Sequence, residues 1–163
     1  MTLQQFLCEL SDIAYENSES SLDIEKVCGL FSELGEGCTR WVFEITYEDK
    51  AYAIKFSIYR HNHHNRRESR AWKTASKEVR AMMAEVYNLS TCGRVLAMEL
   101  VPETLEDSGR RNECNDWNRE LLDALEASGF TFGEASSKIA DNHSGNIGVR
   151  ANGEVVWIDY AVR

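Results

Sequence analysis

Asp141-Asn142-His143-Ser144-Gly145-Asn146-Ile147, followed past Asn152-Gly153 by Trp157-Ile158-Asp159-Tyr160, is the stretch that decides how this chain is read. Asp141 and Asn146 stand in the pattern D-x-x-x-x-N, and Asp159 follows Asn146 by thirteen residues. The apolar runs on either side of Asn152-Gly153 predict a tight β-hairpin. The residue types are two carboxylates and an amide, oxygen donors of the kind a hard cation such as magnesium accepts. A loop of Asx turns with an aspartate closing a strand is the structural alternative.

Three further motifs lie upstream. Leu34-Gly35-Glu36-Gly37-Cys38-Thr39-Arg40-Trp41-Val42 carries two glycines between strand-like runs, where a backbone can approach an anion or simply make a β-turn. Tyr52-Ala53-Ile54-Lys55-Phe56 embeds a lysine in an apolar strand, and a buried ammonium needs an anion; at an edge it would face solvent. Met98-Glu99-Leu100-Val101 reads as a buried strand end. Between them, residues 65–80 predict one helix on which Glu68, Trp72, Ala75 and Val79 fall at i, i+4, i+7 and i+11, a single face. At about 100° per residue, Arg66, Arg70, Lys73, Lys77 and Arg80 lie roughly 120–200° away from Glu68. A lone acid on the apolar face is placed to meet Lys55; Glu78, about 80° off that face, is the second candidate.

In this order and spacing the motifs resemble those of the protein-kinase family over residues 30–163. The resemblance implies an α+β, protein-kinase-like fold: a five-stranded N-terminal lobe with one inner helix, then a truncated C-terminal lobe of one helix and the catalytic-loop hairpin. It implies ATP and Mg2+ as ligands. Gly35 and Gly37 would approach the phosphates, Val42 and Ala53 would line the adenine site, and Lys55 would meet phosphate oxygens while paired with Glu68. Met98 takes the gatekeeper place, and the backbone of Glu99 and Val101 would hydrogen-bond the adenine edge. Asp141 would orient the attacking hydroxyl, His143 stands where kinases often carry a lysine contacting the γ-phosphate, and Asn146 and Asp159 would hold magnesium. Within the family, residues 141–159 look closest to the serine/threonine kinases of T7-like bacteriophages, which act on host proteins.

The pattern is broken in places. Arg40 replaces the third glycine, Ile139-Ala140 stand where H-R of H-R-D is usual, and Ala161 replaces the D-F-G glycine. The sequence runs four residues past Asp159, so no activation segment, A-P-E or peptide-docking helices are expected. Two classes of function stay open: a minimal kinase, and a pseudokinase-like binding module that inhibits or redirects a host protein. A small-molecule phosphotransferase is a third option, disfavoured because those enzymes enclose substrate in a larger C-terminal lobe.

Bulk properties set the frame. The 163 residues, 43% hydrophobic and 28% charged, fit one compact domain, with residues 1–29 as a helical accessory segment to residues 30–163. No apolar run approaches the roughly 20 residues of a membrane span, the start lacks a secretory pattern, and five scattered cysteines without a C-x-x-C pair suit reduced thiols; the expectation is cytoplasmic. The net charge of −9 disfavours nucleic acid. Residues 55–80 nevertheless carry eight bases against two acids, so the basic helix 66–80 is either a solvated face or a surface for an acidic protein partner. His61-Asn62-His63-His64 lacks a carboxylate or cysteine at ligand spacing and reads as an exposed loop.

The chain order predicts a first helix capped by Thr2 with Leu3, Phe6, Leu7, Leu10 and Ile13 on one stripe, a loop or helix start over 17–24, and three strands. The 65–80 helix, a strand pair around Thr91–Arg94, a helix over about 115–128 ending at Gly129, and the final hairpin follow.

Overall fold

The computed structural model describes residues 1–16, 18, 21–37, 39–58, 63–139 and 142–160. The protein is α+β and divides into two compact units, Met1–Ser69 with Val86–Leu100, and Arg70–Glu85 with Val101–Arg163. Among the described residues no helix is long and apolar enough to cross a membrane.

The first unit is built on a five-stranded antiparallel sheet of β1 (Ser32–Glu36), β2 (Arg40–Tyr47), β3 (Lys50–Ser57), β4 (Val86–Leu89) and β5 (Val95–Glu99), in the order β1-β2-β3-β5-β4. Strand residues alternate between the two faces. One face presents Phe43, Ile45, Ile54, Phe56, Val95 and Ala97, and helix α1 (Leu3–Tyr15) covers it with Leu7, Leu10, Ala14 and Tyr15. Each large side chain buried there contributes roughly 1.5–3 kcal/mol. Thr2 caps α1 in a capping box with Gln5. The buried stripe differs from the expected one at its end: Ala14 is buried and Ile13 is exposed, because position 13 lies about 120° from Leu7 around the helix. A short helix, α2 (Ile24–Cys28), starts at Asp23, whose side chain accepts from the Lys26 N–H. The β2–β3 turn holds both Glu48 and Asp49 at positive φ, the backbone of a two-residue hairpin.

The helix expected over residues 65–80 is two helices, α3 (His64–Thr74) and α4 (Lys77–Ala81). Ser76 breaks it: its hydroxyl accepts from the Val79 N–H at 3.3 Å, starting a new helix instead of continuing the old one. Arg80 closes the end of α3, donating to the carbonyls of Trp72, Lys73 and Ala75 at 3.0 Å while its guanidinium lies 4.8 Å over the Trp72 ring. Arg66 donates to the carbonyls of Thr91 and Cys92. The continuous basic stripe is thus corrected: two of its five members hold backbone carbonyls, while Arg70, Lys73 and Lys77 are exposed. The Ser76 hydroxyl also shares a 2.7 Å hydrogen bond with that of Ser128. Ser76→Ala is expected to destabilise the fold by about 1 kcal/mol, the value of a lost cap, lowering the melting temperature by roughly 2–4 °C in calorimetry.

The second unit contains α4, α5 (Cys114–Ala127), α6 (Phe132–Lys138) and a three-stranded antiparallel sheet of β6 (Glu103–Thr104), β7 (Ile147–Val149) and β8 (Val155–Trp157), in the order β6-β7-β8. The one helix and hairpin expected here are therefore joined by α6 and β6. Thr131 and Glu134 form a capping box that starts α6, a T-x-x-E signal present in the sequence. β6 is two residues long and follows Pro102, too short to show a period. α5 buries Trp117, Leu121 and Leu125 on the expected side. The final strand ends at Trp157, leaving Asp159 outside it.

Candidate functional site

Directly opposed residues of antiparallel strands share a face. Arg40 opposes Ser57, Val42 opposes Lys55, Lys55 opposes Leu96, and Ala53 opposes Met98. These residues therefore lie on the sheet face turned away from α1, and Gly35, paired with Val42 after a bulge, joins the row. Val42 and Ala53 are half-buried, Met98 is buried, and Tyr52 opposes Glu99 where β5 ends.

Lys55, 6% exposed, donates its Nζ to Oε1 of Glu68 at 2.8 Å, and Glu68 is fully buried. The periodicity of α3 selects Glu68 over Glu78, and the pairing is present; Glu78 is exposed on α4. The second oxygen of Glu68 is taken by the guanidinium of Arg40, which is 5% exposed and also reaches Asn65 Oδ1 at 3.4 Å. Asn65, itself buried, donates to the carbonyls of Lys55 at 3.0 Å and Arg94 at 2.7 Å. A buried carboxylate thus joins two cations, and an amide ties the start of α3 to the sheet.

In the glycine loop, the Gly37 N–H donates to the Arg40 carbonyl at 2.8 Å and closes the β1–β2 turn. Among the described residues packing does not demand either glycine: a Cβ at Gly35 would meet nothing within 4 Å, and one at Gly37 only the Arg40 carbonyl at 3.6 Å. Open backbone of this kind leaves room for a ligand to approach.

In the second unit, Asn146 closes a 3-10 turn over Ser144–Asn146, its N–H donating to the His143 carbonyl at 2.8 Å. Its carbonyl accepts from the Ile158 N–H at 3.0 Å, continuing the β7–β8 ladder by one rung, so that Asn146 opposes Ile158, the residue before Asp159. Asp159 is half-buried and followed by Tyr160, fully buried, whose hydroxyl donates to the Ala84 carbonyl at 2.7 Å and whose ring lies 5.6 Å from that of Trp157. His143 is exposed; its Nδ1 accepts from the Gly145 N–H at 3.1 Å, so in the neutral ring Nε2 carries the proton. Val101 lies against β7, where a Cβ on Gly148 would fall 2.6 Å from its side chain. Asp141, Cys38, His61, Asn62, Ala140 and Ala161 lie outside the described residues.

Residues 142–144 are anchored by side-chain hydrogen bonds. Asn142 donates to Asn118 Oδ1 of α5 at 2.7 Å, and the Asn118 amide donates to the Asn142 carbonyl at 2.9 Å. Ser144 adds a bond to Glu106 at 3.3 Å. Sequence reasoning missed Arg40, Asn65 and Asn118. Arg40 shares strand parity with Lys55, which is the one signal that could have found it.

Asn146 and Asp159 carry an amide and a carboxylate oxygen, donor types that would suit magnesium. Among the described residues no group of three or more His, Cys, Asp or Glu is placed to hold a metal. No protein-family model matches the chain, and no curated protein matches it in sequence.

Proposed function

We propose that this chain is an ATP- and magnesium-dependent serine/threonine protein kinase of minimal size, of the kind T7-like bacteriophages direct at host proteins. The observation that carries the reading is the buried ion pair of Lys55 and Glu68, the pairing on which kinase activity depends. On this reading Lys55 binds phosphate oxygens, and the open glycine turn around Gly35 and Gly37 lets backbone approach them. Asn146 and Asp159 hold magnesium, which neutralises charge on the phosphates. Asp141 orients the substrate hydroxyl, and the Nε2–H of His143 is a donor for phosphate. Exposed Arg70, Lys73 and Lys77 offer a surface to an acidic protein partner.

Magnesium with ATP at 100 times its dissociation constant is expected to add about 2.7 kcal/mol of stability, read as a rise in melting temperature, and Lys55→Met to abolish the rise. A wild-type melting temperature indifferent to millimolar ATP would remove the nucleotide from the proposal. A second reading, a binding module acting on a host protein, draws on Arg40, which fills the third-glycine place and occupies Glu68. It predicts that Asp141→Asn keeps the full effect on the host, whereas the kinase loses it.

A further inference from the structure

We propose that Arg40 is a positioning residue, holding one oxygen of Glu68 so that the other is fixed where it orients Lys55. The inference rests on the nucleotide reading above and goes beyond it, since the resembling motif has glycine, with no side chain, at this place. Arg40 acts at two levels. Its carbonyl accepts from the Gly37 N–H and closes the glycine turn, while its buried guanidinium reaches Glu68 and Asn65 on α3. One residue therefore ties the turn to the helix that carries the carboxylate. A carboxylate bonded to one cation can swing about its side-chain torsions; one bonded on each oxygen by cations from β2 and β3 is held in a single orientation. Asn65 reinforces this by fixing the first turn of α3 to the carbonyls of Lys55 and Arg94. The tether also removes freedom that a glycine at this position would leave to the turn, so less ordering remains for ligand binding to supply.

The test compares wild type with Arg40→Met, which keeps the buried stem but no donor, and Arg40→Lys, which restores a charge. Affinities for Mg·ATP and for adenosine are measured by calorimetric titration. Arg40→Met is expected to weaken Mg·ATP about tenfold, the size of one lost charged hydrogen bond, with Arg40→Lys recovering part of the loss. Adenosine has no phosphates for Lys55 to meet, so its affinity should change less than about twofold. Equal weakening of both ligands would mean that Arg40 only supports the fold, and the proposal fails. Melting temperatures of Arg40→Met, Lys55→Met and the double variant give a measure that needs no nucleotide. Arg40 and Lys55 meet at Glu68, so their effects should not add. Additive shifts overturn the inference even if ATP binds. If wild type binds no ATP, the nucleotide reading falls and the melting cycle alone judges Arg40.

Discussion

Replacing Glu68 by alanine is expected to destabilise the protein by about 3–5 kcal/mol, as removal of one partner from a buried ion pair does. For a chain of this size that lowers the melting temperature by roughly 6–20 °C. The magnitude follows from burial: Glu68 is fully buried, and Lys55 and Arg40, at 6% and 5% exposed, lose their common carboxylate together. Urea unfolding at constant pH measures it. Lys55→Met should cost less, because Glu68 keeps its bond to Arg40 and the butyl stem is replaced by one of similar bulk. A Glu68→Ala loss below about 1 kcal/mol would place this network among exposed pairs in energetic terms and contradict its burial.

Asp141→Asn is expected to lower phosphoryl transfer at least 10²-fold while leaving the ATP-induced melting shift nearly intact, since a positioned acid or base supplies about that factor and contributes little to ground-state binding. Labelled ATP with magnesium, followed as autophosphorylation and as transfer to a protein substrate, reads the first quantity; thermal melting reads the second. Asp159→Asn should depress both, because it takes the charged oxygen from magnesium. Normal transfer by Asp141→Asn would reassign the acid. Loss of the melting shift in Asp141→Asn together with transfer would instead mean that the variant misfolds, and circular dichroism separates that case.

Much of the local structure was legible because local rules produce it. Thr2 and Gln5 form the capping box that their spacing allows, and Asn152-Gly153 makes the hairpin that its flanking apolar runs imply. Strand alternation put Phe43, Ile45, Ile54 and Phe56 on one face and Val42, Ala53 and Lys55 on the other. The Thr131-x-x-Glu134 box is an equally plain helix start, but the short run behind it has no apolar period to mark it as a helix. The expected single helix over 65–80 failed for a related reason. Periodicity continues smoothly through Ser76, whereas a serine hydroxyl that caps Val79 competes with the backbone and restarts the helix.

The tertiary structure alone decided the rest. The N-terminal helix carries Leu3, Phe6 and Leu10, and only the fold shows what they meet: Leu10 is buried in the core of the first sheet and the other two pack against it. The insertion of β5 between β3 and β4 sets Met98 opposite Ala53 and brings Asn65 to Arg94, a pairing that no local period encodes. Sequence periodicity picked Glu68 over Glu78, and the kinase resemblance supplied Lys55 as the partner it was expected to meet. Only the folded chain made that pair a triad, because Arg40 lies 28 residues from Glu68 and contributes only where β2 and α3 pack closely enough for a guanidinium to reach the second oxygen of a carboxylate that water cannot.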